Sequence, residues 1–134
     1  MEMEEPFIFG ETVNPAKLPE HDAPTPVLQD SLLFGWGYDH VNGTVAEILQ
    51  KVDISVYPVA TCKHYFASNF SEVSHICAGG GGKGQCSGDS GSALTVDGVQ
   101  YGIVSWSDKP CATTPGVMTR VASFRNWIAD HAGI

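Results

Sequence analysis

Positive charge is scarce in this chain. Its 134 residues carry 7 Lys and Arg against 15 Asp and Glu, a formal charge of −8, so it offers no cationic surface to neutralise phosphates. Nucleic acid is therefore not expected as a partner, and neither is an anionic membrane surface. No apolar run approaches the roughly 20 residues that span a bilayer. The opening "MEMEEPFIFGE" is acidic where a secretory leader would be basic and then apolar. CxxC pairs are also missing, so Cys62, Cys77, Cys86 and Cys111 do not read as a zinc site. No metal and no other cofactor is expected.

An even number of cysteines without metal-site spacing reads as two disulfides, which places the chain in an oxidising compartment, secreted and extracellular. Two sequons, Asn42-Gly43-Thr44 and Asn69-Phe70-Ser71, are candidate glycosylation sites compatible with that address. A hydrophobic fraction of 43% is that of a globular chain, and the length suits one ordinary domain.

Between Glu5 and Pro26 stand five prolines and little periodicity, the mark of an extended surface segment; residues 1–30 are read as an interdomain crossing. Short apolar runs follow. Leu32 to Trp36, the alternating Val52, Ile54 and Val56, Val73 to Ala78, and "GVMTRV" all read as strands. In "SALTVDGVQYGIVSW", Asp97-Gly98 separates two β-rich runs and predicts a two-residue hairpin turn. Only the C-terminus reads as helical, with Val121, Phe124, Trp127, Ile128 and Ala132 on one apolar face and Ser123 as its cap. The class is mostly β: an antiparallel barrel over residues 31–120, then a helix over 121–134.

Within the barrel, "GGGGKGQCSGDSGSAL" crowds glycines around Ser90. Glycine loses more conformational entropy on folding than any other residue, so a loop that keeps several needs close backbone approach. A serine among such amides is a candidate nucleophile. The nucleophile elbow of α/β-hydrolases requires glycine two residues before and two after the serine, with a helix following. Gly88 satisfies the first requirement, but Ser92 fails the second and a hairpin follows.

The ordered series "GWG" (Gly35–Gly37), "ICAGG" (Ile76–Gly80), "CSGDSG" (Cys86–Gly91), "YGIVSW" (Tyr101–Trp106) and "PGVMTRV" (Pro115–Val121), closed by Trp127-Ile128, resembles the second barrel of chymotrypsin-like serine proteases. The glycine loop is most similar to arthropod digestive chymotrypsin and collagenase-type enzymes. The resemblance implies a serine endopeptidase with Ser90 as nucleophile and the amides of Gly88 and Ser90 as oxyanion hole. It also implies that Asp89 pairs with the ammonium made by zymogen cleavage. The same comparison pairs Cys62 with Cys77 and Cys86 with Cys111. Relatives often carry another cysteine before "GWG", where this chain has Ser31.

By the same resemblance Gly84 lies at the base of the primary specificity pocket, with Gln85, Ser105, Trp106, Ser107 and Gly116 around it. An uncharged base leaves a buried guanidinium or ammonium unpaired. Arginine and lysine are therefore disfavoured, large apolar or aromatic residues expected, and a broad collagenase-like preference is the alternative. Gln85 and Ser107 stand where smaller residues are frequent.

The family's base is a histidine in an "AAHC"-like context, oriented by an aspartate. None of His21, His40, His64, His75 and His131 has that context, and "MEMEEPFIFG" resembles the segment that follows the family's aspartate. The chain is thus expected to be the C-terminal half of a protease, inactive alone and missing its N-terminal barrel, with protein or peptide substrates and protease inhibitors as partners. The alternative is a catalytically inactive homologue serving as a binding or regulatory module.

Overall fold

The computed structural model describes residues 3–134. Six strands form one antiparallel sheet: β1 (Asp30–Gly35), β2 (Gln50–Ser55), β3 (His75–Ala78), β4 (Ala93–Val96), β5 (Val99–Trp106) and β6 (Gly116–Arg120). Their order is β2-β1-β4-β5-β6-β3. The sheet curls until its two outer strands meet. Val56, just past β2, bridges Ala78 of β3. Two backbone bonds flank the bridge, Tyr57 N–H to Cys77 O at 2.9 Å and Gly79 N–H to Ser55 O at 3.2 Å.

Alternation along these strands fills the interior. Leu33, Ile54, Val56, Ile76, Ala78, Leu94, Val104 and Met118 form one buried cluster, as period-two strands with one face inward require. The expected hairpin turn is present: Val96 pairs with Val99 across Asp97-Gly98, and both turn residues have positive φ, 49° and 77°, as a primed two-residue turn demands.

The chain before β1 runs over the barrel as an extended strap. Gln100 N–H donates to Lys17 O at 2.8 Å and Asp22 N–H to Ala122 O at 3.0 Å, while the Arg120 guanidinium donates to Ala23 O at 2.8 Å. Pro19 and Pro26 are buried, whereas Phe7, Ile8 and Phe9 are exposed.

The helices depart from the sequence reading. A first helix, α1 (Val59–Phe66), was not expected. Its two buried residues, Cys62 and Phe66, lie one turn apart and join a second cluster with Phe70, Cys77 and Val117, so tertiary packing and a disulfide hold a segment too short for propensity to announce. At the C-terminus, Val121–Phe124 is a 3-10 turn and α2 spans Arg125–Ala132. Ser123 does not cap it. The residue before the helix is Phe124, and the Ser123 hydroxyl accepts from Arg120 and donates to Val73 O. Nor does α2 bury its apolar face: Phe124 and Trp127 are exposed, and only Val121 and Ala122 in the preceding turn are buried. No described helix is long and apolar enough to cross a membrane.

Candidate active site

The loop between β3 and β4 carries Ser90, and three contacts fix its shape. Asp89 N–H donates to Cys86 O, Ser92 N–H to Asp89 O, and Gly91 N–H to Val104 O on β5, at 2.9 to 3.1 Å. Ser90 is left exposed at the bend. Neither its own amide nor that of Gly88 donates to a backbone carbonyl among the described residues. Two uncommitted N–H groups thus flank an exposed hydroxyl. Gly88 has φ +97°, and a Cβ there would stand 3.1 Å from the α-carbon of Gly37; no other residue fits without strain.

Asp89, next to the serine, points the other way and is 8% exposed. Its Oδ1 accepts from Gly37 N–H at 2.8 Å and its Oδ2 from Cys86 N–H at 2.9 Å. Amide bonds to an ionised acceptor are among the stronger ones, so the carboxylate ties the serine loop to the turn after β1. The "GWG" motif has its explanation here, since a Cβ on Gly37 would fall 2.4 Å from the carboxylate carbon. No cation lies within ion-pair distance of Asp89 among the described residues. Beside it opens a cavity of about 210 Å³ lined by Gly35, Gly37, Gly84 and Asp89 among others.

Two disulfides frame the site. Cys86 is bonded to Cys111 and Cys62 to Cys77. Across the first, the Lys109 ammonium donates to the Ser87 hydroxyl at 3.0 Å. Ser31 is 1% exposed and its hydroxyl donates to Ile54 O, so a hydrogen bond satisfies a position buried in β1.

Of the residues expected around a pocket, Ser105 and Trp106 end β5, Ser107 follows, Gly116 opens β6 and Gln85 reaches them, whereas Gly84 lines the cavity beside Asp89. Trp106 pairs with Val117, the neighbour of Gly116, and its ring meets Phe66 edge-on at 5.0 Å. Gln85 is 4% exposed and its Nε2 donates to Trp106 O at 2.8 Å. That link, like the bond from Asp89 to Gly37, is invisible in the sequence, because each joins segments with no periodic relation. The candidate glycosylation residues Asn42 and Asn69 are both exposed.

The histidines are engaged elsewhere. His21 contacts Asp22 at 3.3 Å and His40 contacts Asp39 at 2.6 Å. His75 Nδ1 accepts from Ser71 N–H, His131 meets Trp127 O, and His64 packs edge-on against Tyr65. None hydrogen-bonds Ser90.

Residues 1–128 match the family model described as Trypsin. A trypsin of Phaedon cochleariae is 35% identical over all of this chain and 54% of its own length. Chymotrypsin-2 of Vespa crabro is 41% identical over 92% of this chain and 56% of its own. Among solved structures, neuropsin, a serine protease of mouse brain, superposes with a TM-score of 0.86 at 29% identity, covering 93% of this chain and 56% of that one. The chain spans about half the length of the curated relatives it matches.

Proposed function

Because the chain belongs to the trypsin family of chymotrypsin-like serine proteases, we propose that it carries the nucleophilic half of an endopeptidase, with Ser90 as the attacking residue. One observation carries the reading: Ser90 is exposed between two uncommitted amides while its neighbour Asp89 is buried and doubly bonded.

The Ser90 hydroxyl oxygen attacks the peptide carbonyl carbon as a general base takes its proton. The resulting oxyanion accepts from the Gly88 and Ser90 amides, each such donor being worth roughly 3 to 4 kcal/mol in the transition state. Collapse expels the amine, which takes the proton from the base, and leaves an ester on Ser90 that water then hydrolyses. By the family's pattern the base is a histidine on a complementary barrel that packs against this one, a reading supported by the five histidines here, none of which bonds Ser90.

Asp89 is the acid that receives a new N-terminal ammonium on activation, and the cavity beside it admits that group. The ammonium adds an ionic partner to a carboxylate now held by amides alone and stabilises the loop in its catalytic shape. Gly84 brings no charge to the pocket base, so substrates with arginine or lysine before the scissile bond are poor ones. Proteins and peptides are the substrates, protease inhibitors the antagonists, and two disulfides suit secretion.

The test is covalent labelling with a fluorophosphonate. In the activated enzyme carrying this chain, the adduct is expected on Ser90 and is lost in Ser90→Ala. The 134-residue chain alone is expected to show no serine-dependent turnover. Labelling at another residue, or turnover by the isolated chain at protease rates of about 1 to 10³ per second, refutes the assignment.

A further inference from the structure

The connection between β1 and β2 is itself a small projecting hairpin. Ala46 N–H donates to Trp36 O at 3.1 Å, Tyr38 bridges Val45, and a turn closed by Gly43 N–H to His40 O at 3.0 Å forms the tip. Asn42 is the third residue of that turn. Its φ is +61°, a left-handed conformation that asparagine adopts more readily than most residues with a side chain. The turn is tight, for a Cβ on Gly43 would stand 2.5 Å from Asp39 Oδ1. Asn42 and Thr44, which bring the amide and the hydroxyl of the sequon, are both exposed.

The second sequon is held differently. Asn69 ends the 3-10 turn Ala67–Asn69, and Phe70, the middle residue of that sequon, is 5% exposed within the cluster that holds Cys62 and Cys77. Ser71 is engaged as well, since its amide donates to His75 Nδ1 at 3.1 Å and its hydroxyl accepts from Ser74 N–H at 3.4 Å. Binding this sequon as an open segment would draw Phe70 out of the core. Helix α1 and the loop closed by Cys62 and Cys77, only 15 apart in sequence, are local and so close early around it. The tip of the β1–β2 hairpin offers its sequon without disturbing the core.

The surroundings of Asn42 also suit a sugar. With Tyr38 and Val41 it lines a cavity of about 110 Å³ whose other walls include the Cys86–Cys111 bond and Lys109. A pyranose has apolar C–H faces and a hydroxylated rim. The part-exposed Tyr38 ring and Val41 match the faces, while the Lys109 ammonium, already bonded to the Ser87 hydroxyl at 3.0 Å, matches the rim.

We propose that Asn42, and not Asn69, is an N-glycosylation site, and that the first sugar of its glycan lies over the cavity beside the Cys86–Cys111 bond, covering Tyr38, Val41 and Lys109. This rests on the secretory reading above, because the transferase works inside that pathway. A bond forms between Asn42 Nδ2 and the anomeric carbon of a lipid-linked oligosaccharide. The bond from that carbon to the lipid pyrophosphate breaks, and the proton released from Nδ2 goes to solvent.

The test uses the whole protein carrying this chain, expressed in eukaryotic cells behind a fused secretory leader, so that site choice is read whatever the natural address. Peptide-N-glycosidase in heavy-oxygen water turns each glycosylated asparagine into a heavy aspartate that peptide mass spectrometry locates. The mark is expected at Asn42 and not at Asn69. Asn42→Gln and Thr44→Ala should each abolish the glycosidase-sensitive mass, Thr44→Ser should keep it, and Asn69→Gln should leave it unchanged. An unmarked Asn42, or a mark at Asn69, overturns the site choice. Acylation of Lys109 reads where the sugar lies: it should be faster in Asn42→Gln than in the glycosylated wild type, and equal rates refute the cover. Expression from the natural gene reports on the address alone, and retention in the cytosol would refute the secretory reading while the fused leader still decides between the two asparagines. None of these measurements needs hydrolytic activity, so the assignment of Ser90 stands or falls separately.

Discussion

Replacing Gly88 by alanine tests the link between loop geometry and chemistry. Two costs are expected. At φ +97° an L-residue with a side chain is strained by about 1 to 3 kcal/mol. The new methyl would also lie 3.1 Å from the Gly37 α-carbon, closer than carbon atoms pack. Gly37 has little freedom to retreat, since its amide is bonded to Asp89. Gly91→Ala is the control: φ is +85°, yet nothing lies within 4 Å of its Cβ, so it incurs the backbone cost without the collision. Each kcal/mol should lower the melting temperature by about 2 to 8 °C for domains of this size, and Gly88→Ala should melt below Gly91→Ala. Fluorophosphonate labelling of Ser90 in the activated enzyme should slow by about 10² to 10³-fold in Gly88→Ala, the usual loss for one oxyanion donor. If the two variants melt together and Gly88→Ala labels at the wild-type rate, both the contact and the oxyanion assignment are wrong.

Asp89→Ala should be more damaging, because the Gly37 and Cys86 amides each lose a charged acceptor worth about 1.5 to 3 kcal/mol; a thermal melt checks it, and a shift under 2 °C would count against the tether. Removing either disulfide should lower stability according to its loop. Chain entropy gives about 3 kcal/mol for the sequence separation of 15 between Cys62 and Cys77, and about 3.5 kcal/mol for the 25 between Cys86 and Cys111. Urea titration of the paired Cys→Ala variants measures both, and losses under 1 kcal/mol would contradict the estimate.

The features legible in the sequence are those whose cause is local. Asp97-Gly98 announces its turn because both residues must adopt positive φ, and Leu33, Ile54 and Val104 announce strands because one pleated face is buried. Helix α1 was hidden because its two buried positions depend on Cys77 and Val117, distant in sequence. On α2 the periodicity is real but finds no partner surface among the described residues, since Phe124 and Trp127 are exposed. In the site, the glycines advertised Ser90. The tether from Asp89 to Gly37, 52 residues away, and the bond from Gln85 to Trp106 are products of the fold, so no spacing rule could reveal them.

The meeting of β2 and β3 makes the barrel unequal around its circumference. Six residue pairs join β1 to β2, whereas a single bridge and its two flanking bonds close the far side. Partial opening should begin there, with the Tyr57 and Gly79 amides exchanging with deuterium before those of β1. Opening exposes two raw strand edges at once, each a template on which another chain can add. The Cys62–Cys77 bond crosses this gap, joining the helix after β2 to β3 itself. In a reducing environment the danger to this protein is therefore self-association along these freed edges, at concentrations where the rest of the sheet is still intact.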